Sequence, residues 1–184
     1  MRRLDRTELT FQYAEPESTL RRDIDKFVID LEPTGTLPQR PTHHFCATTR
    51  LNRIVSAQIL SVPIWFKEPL LGEEFYDLEK QFARGATKRN YKKNIPSWMI
   101  SRTVKWMVQN TKYRIFFAWS SPELEEFGKV YRASNWIYLG NSWGDTNKPP
   151  KHKWMYFKGD SKKQTKALIK AYQSSSNLWP RMRK

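Results

Sequence analysis

Apolar residues recur at strand spacing in some stretches of the chain and at helix spacing in others, and this pattern alone predicts a series of elements. Residues 1–42 read as an N-terminal extension with one helix, Thr19 to Asp30, followed by a turn region punctuated by Pro33, Gly35, Pro38 and Pro41. A single domain is expected from residue 43 to residue 184. It opens with two β-like runs, His44 to Thr49 and Arg53 to Val62, joined by a tight turn at Leu51-Asn52, which together read as a hairpin. Phe75, Leu78 and Phe82 recur at helical spacing and predict a helix from Glu73 to Phe82, with the glycine of Arg84-Gly85-Ala86 ending it. Asn94 and Pro96 then mark a helix start, and Ile100, Val104, Met107 and Val108 carry its apolar face to Asn110. A strand over Tyr113 to Ala118 follows, then a helix capped by Ser120 or Ser121 and led by Glu123, Glu125 and Glu126. Strands over Trp136 to Leu139 and Lys153 to Phe157 precede a last helix, Lys162 to Tyr172, with Ala167, Leu168 and Ala171 facing inward. Interleaving of this kind predicts an α/β domain, a mixed sheet covered by helices.

Charge adds a partner to this outline. The 184 residues carry 33 Lys and Arg against 18 Asp and Glu, a net charge of +15. Residues 84–114 hold nine basic and no acidic side chains, and residues 148–184 hold eleven basic ones with Asp160 alone opposing them. A field of this sign concentrates polyanions, and neutralising phosphates releases their condensed counterions, so nucleic acid is the expected partner. Residues 1–40, with seven basic and eight acidic side chains, are expected to lie outside that surface. Membrane binding is not expected: no apolar run reaches the ~20 residues that span a bilayer, and neither terminus carries a lipidation signal. The lone Cys46 excludes an internal disulfide and a cysteine-based zinc cluster. It suits a reducing compartment, and the protein is expected in the cytoplasm.

Three stretches carry candidate chemistry. The basic run Arg84-Gly85-Ala86-Thr87-Lys88-Arg89-Asn90, continued by Lys92 and Lys93, precedes a helix start, where free backbone amides and the helix dipole attract anions. A pyrophosphate-bearing cofactor and a DNA backbone are both candidates for it, as is a plain solvated loop. Ser97 and Ser101 lie four residues apart on one helical face, where they could bond a substrate or a donor carbonyl, or act as ordinary caps. Trp98, Tyr131, Trp136 and Trp143 are candidates to stack a base, with a core role the alternative for each.

The run Asn94-Ile95-Pro96-Ser97-Trp98-Met99-Ile100-Ser101, the segment Gly128-Lys129-Val130-Tyr131-Arg132-Ala133-Ser134-Asn135-Trp136-Ile137-Tyr138-Leu139-Gly140 and the tail Lys151-His152-Lys153-Trp154-Met155-Tyr156-Phe157 with its lysine-rich helix resemble the phage Mom-like proteins. These are a divergent branch of the GNAT acyltransferases, and the resemblance runs from about His44 to the C-terminus. It implies a GNAT-like, mostly antiparallel central sheet flanked by helices. It also implies modification of the exocyclic amine of adenine in DNA, which protects phage DNA from restriction, with acetyl-CoA or a related acyl donor and with a metal ion of unassigned ligands. Tyr131 matches the family tyrosine and is expected to act as acid or orienting hydroxyl, with Ser97 and His44 as further catalytic candidates. Arg84, Gly85, Lys88 and Ser101 are expected to hold the cofactor, and Arg89, Lys92, Lys93, Lys151, Lys153, Lys162 and Lys163 the nucleic acid.

Two positions depart from the family pattern. Trp119 and Ser120 follow Phe117-Ala118 where an acidic residue is usual, so a base must come from elsewhere, with Asp77 and Glu74 as candidates. Lys80 stands where relatives tend to have Arg, keeping the charge but losing the bidentate fork. Two rival readings follow, a nucleic-acid-binding protein on a degenerate GNAT scaffold and an acetyltransferase for another amine. The second is disfavoured because Gln81 to Ala86 has the composition of the usual pyrophosphate signature without its spacing.

Overall fold

Seven strands follow the order β1-β2-β3-β4-β5-β7-β6 in the computed structural model, which describes residues 8–63, 75, 77–89, 94–141 and 149–175. The strands are β1 (Leu9–Ala14), β2 (Pro41–Thr49), β3 (Ile54–Ser61), β4 (Glu79–Thr87), β5 (Ile115–Ser120), β6 (Ile137–Asn141) and β7 (His152–Phe157). The helices are α1 (Thr19–Leu31), α2 (Ile95–Asn110), the short α3 (Lys129–Ala133) and α4 (Lys162–Ser175). The result is the mixed, mostly antiparallel sheet with flanking helices that the sequence predicts. The chain divides into two units, residues 1–62 with 82–105 and residues 63–81 with 106–184.

In the first unit the expected hairpin forms. β2 and β3 pair antiparallel, and the turn closes with Thr49 N–H donating to Arg53 O at 3.0 Å. Asn52 takes the left-handed conformation there, with φ 56°, which asparagine tolerates better than most residues. The stretch read as an N-terminal extension supplies β1, paired antiparallel with β2 from Leu9↔Thr49 to Ala14↔His44, and α1. Ser18 caps α1 by accepting the Arg21 amide at 3.2 Å. Ile24 and Val28, one helical turn apart, are fully buried against Ala14, Cys46, Ala57, Ile59 and Ala86.

In the second unit β7 lies between β5 and β6, antiparallel to both. Ile115, Phe117, Met155 and Phe157 share one face of these strands and pack with Phe75, Leu139 and Tyr172, the last from α4. Ser161 caps α4 by accepting the Gln164 amide at 3.1 Å, and the Gln164 side chain accepts the amide of Asp160, the residue before the cap. Leu168, Ile169 and Ala171 pack on the cluster while Ala167, expected to face inward, is exposed; Ile169 takes the inward place.

Two predicted helices are corrected. The one assigned to Glu73–Phe82 gives way to β4 from Glu79 onward, with most of its first half outside the described residues. Leu78 and Phe82, four apart, satisfy a two-residue period as well as a helical one, and the polar run Glu79-Lys80-Gln81 between them is buried, which disguised a strand. Gly85 therefore lies inside β4 and ends no helix. The helix expected after Ser121 is a single 3-10 turn, Pro122–Leu124, stopped by Glu125 in the left-handed conformation and without a side-chain cap from Ser121.

Candidate active site

The segment around Tyr131 is held by one close approach. Gly128 precedes α3 with φ +66°, and a Cβ built on it would lie 2.2 Å from Trp154 Cζ2, so only glycine lets the backbone cross the indole there. Trp154 is buried on β7 and fixed by its Nε1–H donating to Ser120 Oγ at 3.0 Å. Tyr131 on α3 then packs against Trp136 and Trp154, with ring centroids 5.1 and 5.9 Å away. Tyr138 extends the array, 5.0 Å from Trp154 and partly open to solvent. Burial, reinforced by Glu126, pushes the Tyr131 hydroxyl above its usual range, so it stays protonated. Trp136 is buried and stacks on Tyr156 at 5.8 Å, which gives it a core role rather than that of a base platform. Trp143 lies outside the described residues.

The register fixes what can share a face with this array. Ala118 pairs with Trp154 and Ser120 with His152, while Phe117 pairs with Met155 and Trp119 with Lys153. Side chains alternate along a strand, so Tyr131 covers the face opposite the apolar cluster. A narrow cleft of about 10 Å³, room for about one water molecule, is lined by Phe117, Ala118, Trp119, Leu139, Lys153, Trp154 and Tyr172. Lys153, expected to contact phosphate from a solvated surface, instead lines this aromatic cleft, where burial lowers its pKa. Its ammonium sits in a poor setting for a backbone clamp.

The polar run that opens β4 contains the carboxylate that sequence reasoning missed. Glu79 is 1% exposed, neither carboxyl oxygen has a hydrogen-bond partner among the described residues, and burial raises its pKa to about 8. Lys80 beside it is equally buried, with its pKa lowered by burial to about 8 and its Nζ 4.4 Å from the centre of the Tyr113 ring. Glu79 opens β4, the strand next to β5 in the sheet. Buried polar atoms without partners are rare and call for an explanation, of which a catalytic role is one. Asp77, considered from sequence as a substitute base, is exposed and ion-paired with Lys112 at 3.0 Å; Glu74 lies outside the described residues.

The remaining candidates of the first unit separate into spent and open groups. His44 is fully buried, and its Nε2 meets Asp25 Oδ1 at 2.9 Å across the α1–β2 packing. Burial outweighs the carboxylate and lowers its pKa, so the neutral ring donates from Nε2 to Asp25 and its Nδ1 is enclosed without a partner. With Nε2 committed to Asp25, His44 ties α1 to β2 and serves packing, which corrects its assignment as a catalytic residue. Arg84, expected on a cofactor phosphate, donates to Thr36 O at 3.1 Å and Ala83 O at 2.8 Å and lies 3.6 Å from Glu32. Gly85 lies in extended β4, where an added Cβ would meet Ala57 and Gln58 only at ordinary contact distance, so no close approach there requires glycine. Ser97 Oγ donates to Asn94 O at 3.1 Å, an end-of-helix bond that occupies its proton. Ser101 is exposed on α2, and Lys88 and Arg89 are exposed where β4 ends, with Lys88 Nζ 5.8 Å from the Phe27 ring. Arg102 lies over the half-buried Trp98 at 5.7 Å. Lys92 and Lys93 lie outside the described residues, and Lys151, Lys162 and Lys163 of the second unit are exposed.

Cys46 is buried, with its thiol pushed up to about 12, so it is no nucleophile. Among the described residues no three His, Cys, Asp or Glu side chains gather to hold a metal ion. No helix of the described residues is long and apolar enough to cross a membrane.

The seven-stranded sheet with its flanking helices has the fold of the GNAT N-acetyltransferases. Spermidine N-acetyltransferase from Vibrio cholerae, solved with CoA and spermine, superposes with a TM-score of 0.55 at 8% identity, covering 83% of this chain and 96% of that one. The same enzyme with manganese ions gives 0.57 at 10% identity over 89% and 97%. Ribosomal-protein-S5-alanine acetyltransferase from Vibrio fischeri gives 0.50 at 14% identity over 64% of this chain, which spans 62% of that one. No curated protein matches the chain by sequence. Residues 77–182, more than half of the chain and including Glu79 and Tyr131, match the Mom protein family, and the chain belongs to that family.

Proposed function

We propose that the protein transfers an acyl group to an amine, and that the amine is the exocyclic N6 of adenine in DNA, so that the modified DNA resists restriction. Membership of the Mom family over residues 77–182 carries this reading, and the GNAT fold supports the amine-acylating half of it. The net charge of +15 favours a polyanionic acceptor and repels a polycation such as a polyamine. Glu79 supplies the carboxyl whose usual place is taken by Trp119, which favours turnover over a binding-only scaffold.

An acyl-CoA thioester would supply the activated carbonyl carbon and a thiol leaving group. Lys88 and Arg89, exposed ahead of the α2 N-terminus, fit a donor's phosphates; Arg84 and Gly85 do not. Adenine N6 is a weak nucleophile, its lone pair delocalised into the ring, so proton removal must accompany attack. Glu79, enclosed in the resting fold, takes that proton as the N–C bond forms once its cover opens to admit the base, and Tyr131, held protonated, gives one to sulphur as the C–S bond breaks. Flipping the base out of the stack exposes N6 at a cost of about a few kcal/mol, which aromatic stacking offsets in part.

Thiol release tests the acceptor class. Purified protein with acetyl-CoA should liberate thiol in the presence of adenine-containing DNA and not with spermidine. Release with spermidine alone would move the assignment to small amines.

A further inference from the structure

We infer that the outer face of α4 is the docking surface for the nucleic-acid phosphodiester backbone, with Lys162, Lys163, Lys166 and Lys170 as its contacts. The inference rests on the DNA reading above and goes beyond it by locating the surface on one helix. At about 100° per residue the four lysines fall within an arc of roughly 100° on the helix, and Lys162 to Lys170 span roughly 12 Å along its axis. All four are exposed. None of them is in an ion pair among the described residues, since the nearby Asp160 is taken by Arg114 at 3.0 Å.

Three further facts separate this stripe from an ordinary solvated face. No acidic residue follows Asp160 in the sequence, so nothing on the helix balances the lysines. Lys162 and Lys163 stand in the first turn, which has no acidic residue, although cations are unfavourable at that end of the helix dipole. A bound polyanion removes that repulsion. Lastly, the rest of the helix is committed: Leu168, Ile169, Ala171 and Tyr172 pack into the apolar cluster. With its apolar face consumed, α4 has nothing to insert into a bilayer, which favours a phosphate backbone over a lipid surface. Phosphates spaced about 3.4 Å apart along the axis of one strand place three or four charges alongside the stripe. Of the cations expected on DNA, Lys162 and Lys163 belong to this surface and the cleft-lining Lys153 does not.

The test compares the salt dependence of binding for the full chain, the triple variant Lys162→Gln, Lys166→Gln, Lys170→Gln, and a control of equal charge, Lys26→Gln, Arg50→Gln, Arg53→Gln. The probes are labelled duplex DNA, single-stranded DNA and duplex RNA, with phosphatidylglycerol vesicles as a separate arm. The α4 variant should lose about a hundredfold in affinity at 0.1 M salt and lower the log–log salt slope by about 2 to 3, near 0.9 per lost contact, while the control keeps both. A triple Lys→Arg variant at the same positions should bind as the parent does. Duplex DNA should bind tightest of the three nucleic acids, and tighter binding of duplex RNA would overturn the inference. An unchanged slope in the α4 variant, or loss confined to the vesicles, overturns the inference while leaving the DNA reading in place. A parent protein that binds no nucleic acid overturns both.

Discussion

Replacing Gly128 by alanine should destabilise the second unit by about 2 to 5 kcal/mol. The left-handed conformation costs an alanine about 1–2 kcal/mol, and forcing a methyl into packed surroundings adds about 1–3 kcal/mol. Both apply, because φ is +66° and the new Cβ would fall 2.2 to 2.6 Å from three atoms of the Trp154 indole. The indole has little room to retreat, being buried and tied to Ser120. For a chain of this size each kcal/mol lowers Tm by about 2–4 °C, so thermal unfolding reads the change directly. Since Tyr131 packs on Trp154, activity should fall further than the folded fraction does. A loss below about 1 kcal/mol would mean that the entry to α3 yields, and that this contact does not set the tyrosine.

Glu79→Gln should separate stability from activity in opposite directions. In the parent, burial raises the carboxyl from its ordinary 4.5 to about 8. Unfolded chains therefore release this proton first, and the stability present below pH 4.5 is lost as pH rises through about 8. Lys80, lowered from 10.5 to about 8, acts the other way: its burial penalty is relieved as pH climbs from about 8 to 10.5. Chemical denaturation across pH should show a minimum near pH 8. The glutamine variant, with no proton to lose, should lack the parent's decline towards pH 8, keep only the rise that His44 gives up to about pH 6.5, and exceed the parent at pH 8 by on the order of a few kcal/mol. Its transferase activity should fall by roughly 10²–10⁴, the usual weight of a positioned base. Parent kcat/KM should also climb as Glu79 ionises through pH 8. A variant that gains stability and keeps full activity would leave Glu79 without a role in proton transfer.

Much of the fold was legible because its signals are local. Ser18 ahead of α1, Asn94 and Pro96 at the start of α2, and Leu51-Asn52 between β2 and β3 each fix a boundary through backbone chemistry within four residues. β4 was hidden because a buried strand of Glu79, Lys80 and Gln81 breaks the rule that polar side chains face water. The same inversion concealed the candidate base, which a helical reading puts on a solvated face. Tyr131 could be found from its segment, but its neighbours could not, since Trp154 and Gly128 meet only through a strand twenty-odd residues away. Charge counting located the basic stretches without their orientation. It could not foresee that Arg84 would be drawn onto Thr36 and Glu32, or that Lys153 would turn into an aromatic cleft.

Mass spectrometry of nucleosides tests the central claim most directly, using DNA from cells that express either the parent protein or Glu79→Gln at equal, folded levels. Parent expression should yield an adenine-derived nucleoside of increased mass, and the glutamine variant should leave adenine almost unmodified. Ordinary adenine throughout the parent's DNA, from a host that supplies the donor, would contradict the assignment.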